Sequence, residues 1–237
     1  IAFNVPATMP LWMVVFASIF AIVVVKEMFG GIGNNFINPA LAARAVLLAS
    51  WPAQMGTYVQ PYTLDAVTSG TPLANPANAN LMDLFIGSVP GTLGEVSAVA
   101  LLVGALILLW RGVIKLRIPL AMLAAFAVGF LVFNAIELSL NEVALGDAFS
   151  ETVGILPAHL LSGGLLLGAI FMATDYASSP ITSKGQLIFG IGAGLLVALF
   201  RVFGQNPEGV SYAILIMNVC TPLIDKYVKE RPFGGVQ

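Results

Sequence analysis

Long runs without a charged residue constrain this chain more than any other feature of its sequence. The first 25 residues contain no Asp, Glu, Lys or Arg, and charged residues make up only 9% of the 237 residues, against about a quarter in a typical soluble domain. A transmembrane helix needs about 20 mostly apolar residues, and only helices or closed barrels span a bilayer. The sequence therefore predicts an all-α polytopic membrane protein.

About seven apolar stretches are candidate membrane segments. Several of them extend for only about 15 residues and are bounded or interrupted by Gly, Pro or Asn, which predicts that some helices are short or broken. The stretches are residues 11–25, 39–53, 96–110, 118–136, 160–174, 186–200 and 210–224.

The basic residues between these stretches predict an orientation. Lys and Arg are retained in cytoplasmic loops, and Lys26, Lys184 and the basic residues of 111–117 and 226–231 all fall on one side. The loops 54–94 and 139–157 contain acidic residues but no Lys or Arg. We expect these two loops to face outward and the C-terminus to be cytoplasmic.

A weak internal repeat accompanies this topology. Lys26 is followed by a Phe-Gly pair and by Asn38-Pro39, and Arg201 is followed by a second Phe-Gly pair and by Asn206-Pro207. The predicted topology places the two Asn-Pro turns on opposite sides, as in inverted-repeat membrane proteins, whose functional site lies between the halves. If each repeat has five spans, about three precede Ile1, and we expect the true N-terminus to lie upstream.

Composition argues against several classes of function. Ten basic and twelve acidic residues give a net charge of -2, which leaves no basic surface for nucleic-acid phosphates. One cysteine, Cys220, and one histidine, His159, are too few for a zinc site of two Cys and two His or for a Cys-ligated iron–sulfur cluster. No metal site is expected, and redox chemistry on this chain would require an organic cofactor.

The predicted outward loop contains an acid followed by hydroxyl and small residues, LDAVTSGTPL at positions 64–73. Side-chain chemistry alone favours an Asp-initiated turn capped by Thr and Ser. The order Asp65, Thr68, Thr71 is also similar to the signal at which a flavin transferase esterifies the phosphate of FMN onto the last threonine. Ser69-Gly70 stand where the usual signal has Gly-Ala, which is a change between small residues.

Further blocks along the whole chain resemble one family, that of the Rnf complex D subunit and the Na+-translocating NADH:quinone reductase B subunit. TPL at 71–73 and the last of these blocks resemble the Rnf branch more closely. The blocks are KEMFGGIG at 26–33, NNFINPA at 34–40, WPAQM at 51–55, PGTLGEVS at 90–97, FMATD at 171–175 with SSP at 178–180, and NPEG at 206–209 through MN at 217–218 to PLID at 222–225.

The resemblance implies a urea-transporter-like inverted repeat of about ten helices, of which about seven are present here. Residues 1–53 would end the first repeat, 54–91 would form the outward loop with the flavinylation motif, and 92–237 would form the second repeat with a cytoplasmic tail. The Asp and Thr spacing and Gly70 would be recognised by the flavin transferase, and Thr71 would carry the covalent FMN.

The function implied is that of a membrane subunit in an ion-translocating ferredoxin:NAD+ oxidoreductase of the cell (inner) membrane. Such a subunit carries electrons and helps to move Na+ or H+, but it has no complete active site and no catalytic residue of its own. Its partners would include a second flavin-carrying subunit and iron–sulfur subunits. Two alternatives stay open: a urea-transporter-like solute channel, and the B subunit of the quinone reductase.

The resemblance also implies roles for four residues near the predicted cytoplasmic boundary. Asn35 and Asn38 would bind a second, noncovalent flavin (riboflavin or FMN), although capping of the next helix explains both residues equally well. Asp175 and Asp225 would lie on the ion path, because acids at the edge of a span are costly unless they serve a partner or an ion. The alternative is interfacial solvation, or for Asp225 an ion pair with a neighbouring lysine.

Four more polar residues lie in or beside apolar stretches. Arg44 and Arg201 each require a counter-charge or another polar partner. Glu95 is expected to begin a helix, where a carboxylate favours the positive end of the dipole. His159 is expected at a membrane boundary.

Overall fold

The computed structural model describes residues 1–61, 70–141, 143–204 and 208–229. In these ranges every multi-residue regular element is a helix. The α-helices are α1 (Leu11–Ile19), α2 (Pro39–Ser50), α3 (Pro52–Met55), α4 (Leu81–Ile86), α5 (Ala98–Trp110), α6 (Arg117–Leu140), α7 (Leu145–Leu161), α8 (Leu165–Leu167), α9 (Ser183–Phe203) and α10 (Val210–Tyr227). Shorter 3-10 or π-helical turns cover Ala2–Asn4, Phe20–Lys26, Glu27–Phe29, Pro72–Ala74, Pro76–Asn78 and Gly168–Met172.

Three of the described helices are long and apolar enough to cross a membrane, namely Leu11–Phe29, Arg117–Leu140 and Ser183–Phe203. A fourth span forms if α7 is joined to Leu165–Met172, from which it is bent by 61°. The helices α2 and α5 are apolar but shorter. The prediction of an all-α polytopic membrane protein with short and broken helices is therefore confirmed.

The stretch 139–157, predicted as a loop, is mostly helical. Residues Leu145–Leu161 form α7, whose carboxylates at Asp147 and Glu151 are exposed while Ala148 and Thr152 are buried. Residues four apart share one face of a helix, so the acids face away from the packed side. The exposed acids interrupt the apolar run of α7, so this amphipathic helix contains no long charge-free stretch in the sequence.

Small residues allow the two long helices of the core, α6 and α9, to approach closely. A Cβ atom at Gly194 would overlap the carbonyl oxygen of Met122, and one at Gly190 would lie 2.8 Å from the Cβ of Ala121. In a lipid bilayer no hydrophobic effect drives helices together, so they associate by close packing through such small residues. Phe126, Phe130 and Phe189 fill the core beside this contact.

The helices α2 and α10 run antiparallel and connect the two polar regions described below. The backbone N–H of Asn38, at the start of α2, donates to the side-chain oxygen of Asn218 in the middle of α10 (3.0 Å) in the amide orientation that satisfies both groups. Arg44, about 9 Å further along α2 at 1.5 Å per residue, bonds to Glu208 just before α10. As α2 is followed from its start, its contacts therefore move from the middle of α10 towards the start of α10, which is the antiparallel arrangement.

Candidate functional site

The predicted flavin acceptor Thr71 lies at the start of the short turn Pro72–Ala74. Its side chain is half-buried, its hydroxyl does not cap the turn, and the preceding Gly70 is exposed. The other two residues of the motif, Asp65 and Thr68, lie outside the described residues. Thr71 is therefore partly accessible, and its hydroxyl is not engaged in local helix capping.

A cavity of about 240 Å³ opens beside Thr71. Thr71 and Gly70 form one side of it, Tyr58 and Glu208 supply its polar wall, and residues of α2 and α3 complete the lining. The loop that carries the predicted acceptor thus shares a cavity with an acid from the end of the chain that the sequence analysis did not single out.

Four residues form what we term the charge cluster: Arg44, Tyr58, Glu95 and Glu208. The Nη2 of Arg44 donates to the Oε2 of Glu208 at 2.9 Å, and its Nη1 lies 3.6 Å from the Oε2 of Glu95. The hydroxyl of Tyr58 donates to the Oε1 of Glu208 at 3.0 Å. One guanidinium therefore compensates two carboxylates contributed by distant parts of the chain.

The surroundings of Glu95 explain its burial and correct its predicted role. Its Oε1 accepts a hydrogen bond from the backbone N–H of Thr92 at 3.2 Å. A Cβ atom at Gly164 would lie 3.0 Å from its Oε2, so the glycine leaves room for the carboxylate. The cap of α5 is Ser97, whose Oγ accepts from the N–H of Ala100 at 3.3 Å. The prediction that Glu95 begins a helix was therefore wrong.

The electrostatics of the charge cluster shift the titration of Glu208 upward. Burial raises the pKa of the Glu208 carboxyl above its ordinary value, and the charge of Glu95 raises it further, while Arg44 and the hydrogen bond from Tyr58 oppose these effects without cancelling them. Burial and the same acids raise the pKa of Tyr58. The Tyr58 hydroxyl consequently keeps its proton and acts as a donor.

The requirement of Arg44 and Arg201 for polar partners is confirmed, but their partners differ. Arg44 has counter-charges, whereas Arg201 donates to the carbonyl oxygens of His159 and of Ser162, the latter at 3.0 Å. The guanidinium of Arg201 also lies over the ring of Phe126, 4.9 Å from its centroid. His159 is buried near the C-terminal end of α7, and its backbone carbonyl helps to solvate the buried arginine.

A second group, the asparagine–aspartate cluster, consists of Asn35, Asn38, Asp175 and Ser178. The Nδ2 of Asn35 donates to the Oδ2 of Asp175 at 3.4 Å and to the carbonyl oxygen of Ile37 at 3.1 Å. The hydroxyl of Ser178 donates to the same Oδ2 at 2.9 Å. The structure thus brings together a predicted flavin-binding residue and a predicted ion-path residue.

The two asparagines have different roles in this cluster. The Oδ1 of Asn38 accepts from the backbone N–H groups of Ala40 and Leu41 at 3.0 and 3.2 Å, so Asn38 caps α2. Its Nδ2 donates to the carbonyl oxygen of Met172 at 3.3 Å. Asn38 also lines a largely apolar cavity of about 500 Å³. Asn35 caps no described helix.

Glycines produce the bend on which this cluster depends. Gly30, Gly31 and Gly33 have φ angles of 111°, 83° and 86°, which side chains other than Gly rarely adopt. The bend ends the first membrane helix and turns the chain back to Asn35 and Asn38. The predicted glycine-rich break is confirmed.

Asp225 lies apart from the asparagine–aspartate cluster. Its Oδ1 accepts from the backbone N–H of Ile181 at 3.3 Å. Lys226 and Lys229 are both within the described ranges, and neither forms a salt bridge with it. The ion-pair alternative for Asp225 is therefore wrong, and the acid instead anchors the loop before α9.

Sequence analysis did not single out Tyr58, Ser178, Glu208 or Asn218. The amide of Asn218 donates to the carbonyl oxygen of Ser178 at 3.2 Å in its satisfied orientation, which ties α10 to the asparagine–aspartate cluster. Ser178, Glu208 and Asn218 lie inside blocks that carry the family resemblance. The sequence therefore marks these three positions only through the blocks and not through the chemistry of each residue.

The structure defines an all-helical membrane protein with two polar regions along the contact of α2 and α10. The family model described as the NQR2, RnfD, RnfE family matches residues 1–234. The chain therefore belongs to this family, as the resemblance predicted.

Known proteins of this family resemble the chain over almost its whole length. The chain is 47% identical over 243 residues to the D subunit of the Na+-translocating ferredoxin:NAD+ oxidoreductase complex of Acetobacterium woodii, covering 99% of this chain and 70% of that protein. It is 38% identical over 249 residues to the D subunit of the proton-translocating ferredoxin:NAD+ oxidoreductase complex of Clostridium ljungdahlii, covering 97% and 70%. It is 34% identical over 273 residues to the D subunit of the ion-translocating oxidoreductase complex of Pectobacterium atrosepticum, covering 98% and 74%.

Proposed function

We propose that this chain is the D-type membrane subunit of an ion-translocating ferredoxin:NAD+ oxidoreductase and that it carries electrons through an FMN esterified to Thr71. The observation that carries the covalent site is the half-buried Thr71 hydroxyl, which caps no helix and borders a cavity with a polar wall. The names of the relatives support the complex. The site lies on the outward face and the C-terminus in the cytoplasm, as the distribution of basic residues favours.

The residues around Thr71 fit a phosphodiester-linked group. Gly70 presents no side chain beside the acceptor, and the cavity next to it is open to solvent on one side. When bound, FMN supplies one-electron transfer. On this chain, Thr71 anchors the group, Asp65 and Thr68 are read by the flavin transferase, and Tyr58 and Glu208 form the wall that faces it.

The asparagine–aspartate cluster would serve ion coupling and a second flavin. The carboxylate of Asp175 is held by the neutral donors Asn35 and Ser178, so its charge is free to attract a hard cation or a proton. Asp225 would act at the same end of α10. The relatives are named for different ions, Na+ and protons, and both are alternatives here. A second flavin-carrying subunit and iron–sulfur subunits of the complex would supply and remove electrons.

The intact mass of the protein purified in its native complex tests the covalent site. We expect wild type to carry one phosphodiester-linked FMN and Thr71→Ala to carry none, to lose in-gel flavin fluorescence and to lose ferredoxin-dependent turnover while assembling normally. Thr57→Ala is the matched control, because this threonine lies in the same connection but outside the motif. An unmodified wild-type protein, or a fluorescent Thr71→Ala variant, would refute the assignment and favour the solute-channel alternative.

A further inference from the structure

The cavity beside Thr71 has a single described acid in its wall. Glu208 lies in the connection before α10, and its side chain is only 10% exposed. It shares the cavity with Thr71 and Tyr58. A group attached to Thr71 would therefore face a carboxylate that is nearly withdrawn from water but still borders the cavity.

The charges around Glu208 are balanced before anything is attached to Thr71. Two carboxylates and two guanidinium groups contribute, and the tyrosine hydroxyl is neutral, so a phosphodiester on Thr71 would add one uncompensated negative charge. Adding a negative charge near buried carboxylates favours protonation of one of them. The groups that act on Glu208 are Arg44 from α2, Tyr58 after α3, Glu95 before α5 and Arg201 from α9.

Glu208 is better placed than Glu95 to take up that proton. Glu95 is only 3% exposed and accepts from the backbone of Thr92, and the void that it shares with Thr71 measures only about 10 Å³. Glu208 borders the larger cavity of about 240 Å³, through which water reaches it. Burial already raises the pKa of Glu208, so a further negative charge moves its titration upward.

We propose that Glu208 is a proton-uptake site controlled by the charge of the group held on Thr71. When a reduced flavin or iron–sulfur carrier of the complex adds one electron to that group, one proton from the aqueous phase binds the Glu208 carboxylate and forms an O–H bond. When that electron passes to an oxidised flavin or iron–sulfur carrier of the complex, the bond breaks and the proton returns to water, so the net charge of the cavity is the same in both states. This inference depends on the covalent flavin of the proposed function.

The pH dependence of the midpoint potential of the covalent flavin tests the proposal in the purified complex. A tenfold change in proton concentration corresponds to about 59 mV for a one-electron couple that takes up one proton. We expect the wild-type potential to fall as the pH rises and Glu208→Gln to reduce this slope. Glu151→Gln, which changes an exposed acid on α7, is the matched control and should retain the wild-type slope.

A second variant keeps the carboxylate in case Glu208→Gln does not assemble. Tyr58→Phe removes a hydrogen bond that stabilises the charged form of Glu208, so the pH at which the slope changes should move upward. The proton-uptake role would be overturned if Glu208→Gln kept the wild-type slope of potential against pH. It would also be overturned if the pH at which that slope changes were the same in Tyr58→Phe as in wild type. If covalent FMN is present and the flavin potential of Glu208→Gln depends on pH as in wild type, only this inference is refuted. If covalent FMN is absent from the wild-type protein, the proposed function is refuted.

Discussion

The charge cluster and the asparagine–aspartate cluster hold their acids in different ways. In the charge cluster, Arg44 bonds to Glu208 at 2.9 Å and lies 3.6 Å from Glu95. In the asparagine–aspartate cluster, neutral donors contact Asp175 and no described basic side chain forms a salt bridge with it. A compensated acid is stable when buried, whereas an acid held by neutral groups keeps a charge that attracts a cation.

This difference would separate the two tasks that the proposed function assigns to this chain. The charge cluster joins α2, the connection before α5 and the connection before α10, so it fixes both halves of the chain beside Thr71. The asparagine–aspartate cluster lies at the other end of the α2 and α10 contact. An electron carrier at one cluster and an ion at the other would communicate through these two helices, which share contacts with both.

The largest effect is expected from breaking the charge cluster. Arg44→Met leaves Glu95 and Glu208 without their cation, and removing one partner of a buried ion pair costs about 3 to 5 kcal/mol. We expect a clearly lower thermal midpoint of the detergent-solubilised complex, measured by the loss of this chain from the assembly on heating.

The double variant Arg44→Met with Glu208→Gln tests this explanation, because it removes one positive and one negative charge from the charge cluster. It should recover part of the lost stability. If Arg44→Met alone were as stable as wild type, the cluster would be solvated in the native complex and the comparison between the two clusters would not hold.

A smaller but more specific effect is expected from the asparagine–aspartate cluster. Asp175→Asn keeps the shape of the side chain and removes its charge, so ion uptake into vesicles, or the dependence of turnover on Na+, should weaken by about tenfold, within the usual range of coupling free energies. Flavin content should stay normal. Asp225→Asn should reduce ion uptake less, because the Oδ1 of Asp225 is engaged with the backbone N–H of Ile181 and Asn retains that acceptor.

The matched control for both variants is Asp83→Asn, an acid in α4 outside both clusters. Uptake equal to wild type in Asp175→Asn and in Asp225→Asn would remove the ion path from these acids. A loss of covalent flavin in either variant would show that the two clusters are not functionally separate.

Sequence reasoning recovered the helical membrane class, the glycine-rich break and the requirement of Arg44 for a partner, because each depends on local composition. It did not identify that partner, since Arg44 and Glu208 are 164 residues apart in sequence. Asn35 and Asp175 are separated by 140 residues. Tertiary packing brings these residues together, through the contact of α2 with α10 for Arg44 and Glu208 and through the contact of the start of α2 with residues 172–175 for Asn35 and Asp175. Hydropathy carries no information about which faces of two helices meet.

The smallest effect distinguishes the two asparagines that the sequence treated alike. Asn38→Leu removes the cap of α2, and loss of an N-cap costs about 0.5 to 2 kcal/mol, so the thermal midpoint of the complex should fall slightly. Asn35→Leu removes no helix cap but loses the donor to Asp175 and Ile37, so it should lower that midpoint less than Asn38→Leu. If Asn35 binds a noncovalent flavin, acid extraction should release less of that flavin from Asn35→Leu while the covalent flavin is retained. Asn38→Ser, which keeps a capping oxygen but loses the donor to Met172, should lower the midpoint less than Asn38→Leu. Equal loss of stability in Asn35→Leu and Asn38→Leu, with unchanged flavin ratios, would assign both residues to structure alone and leave the second flavin without a site on this chain.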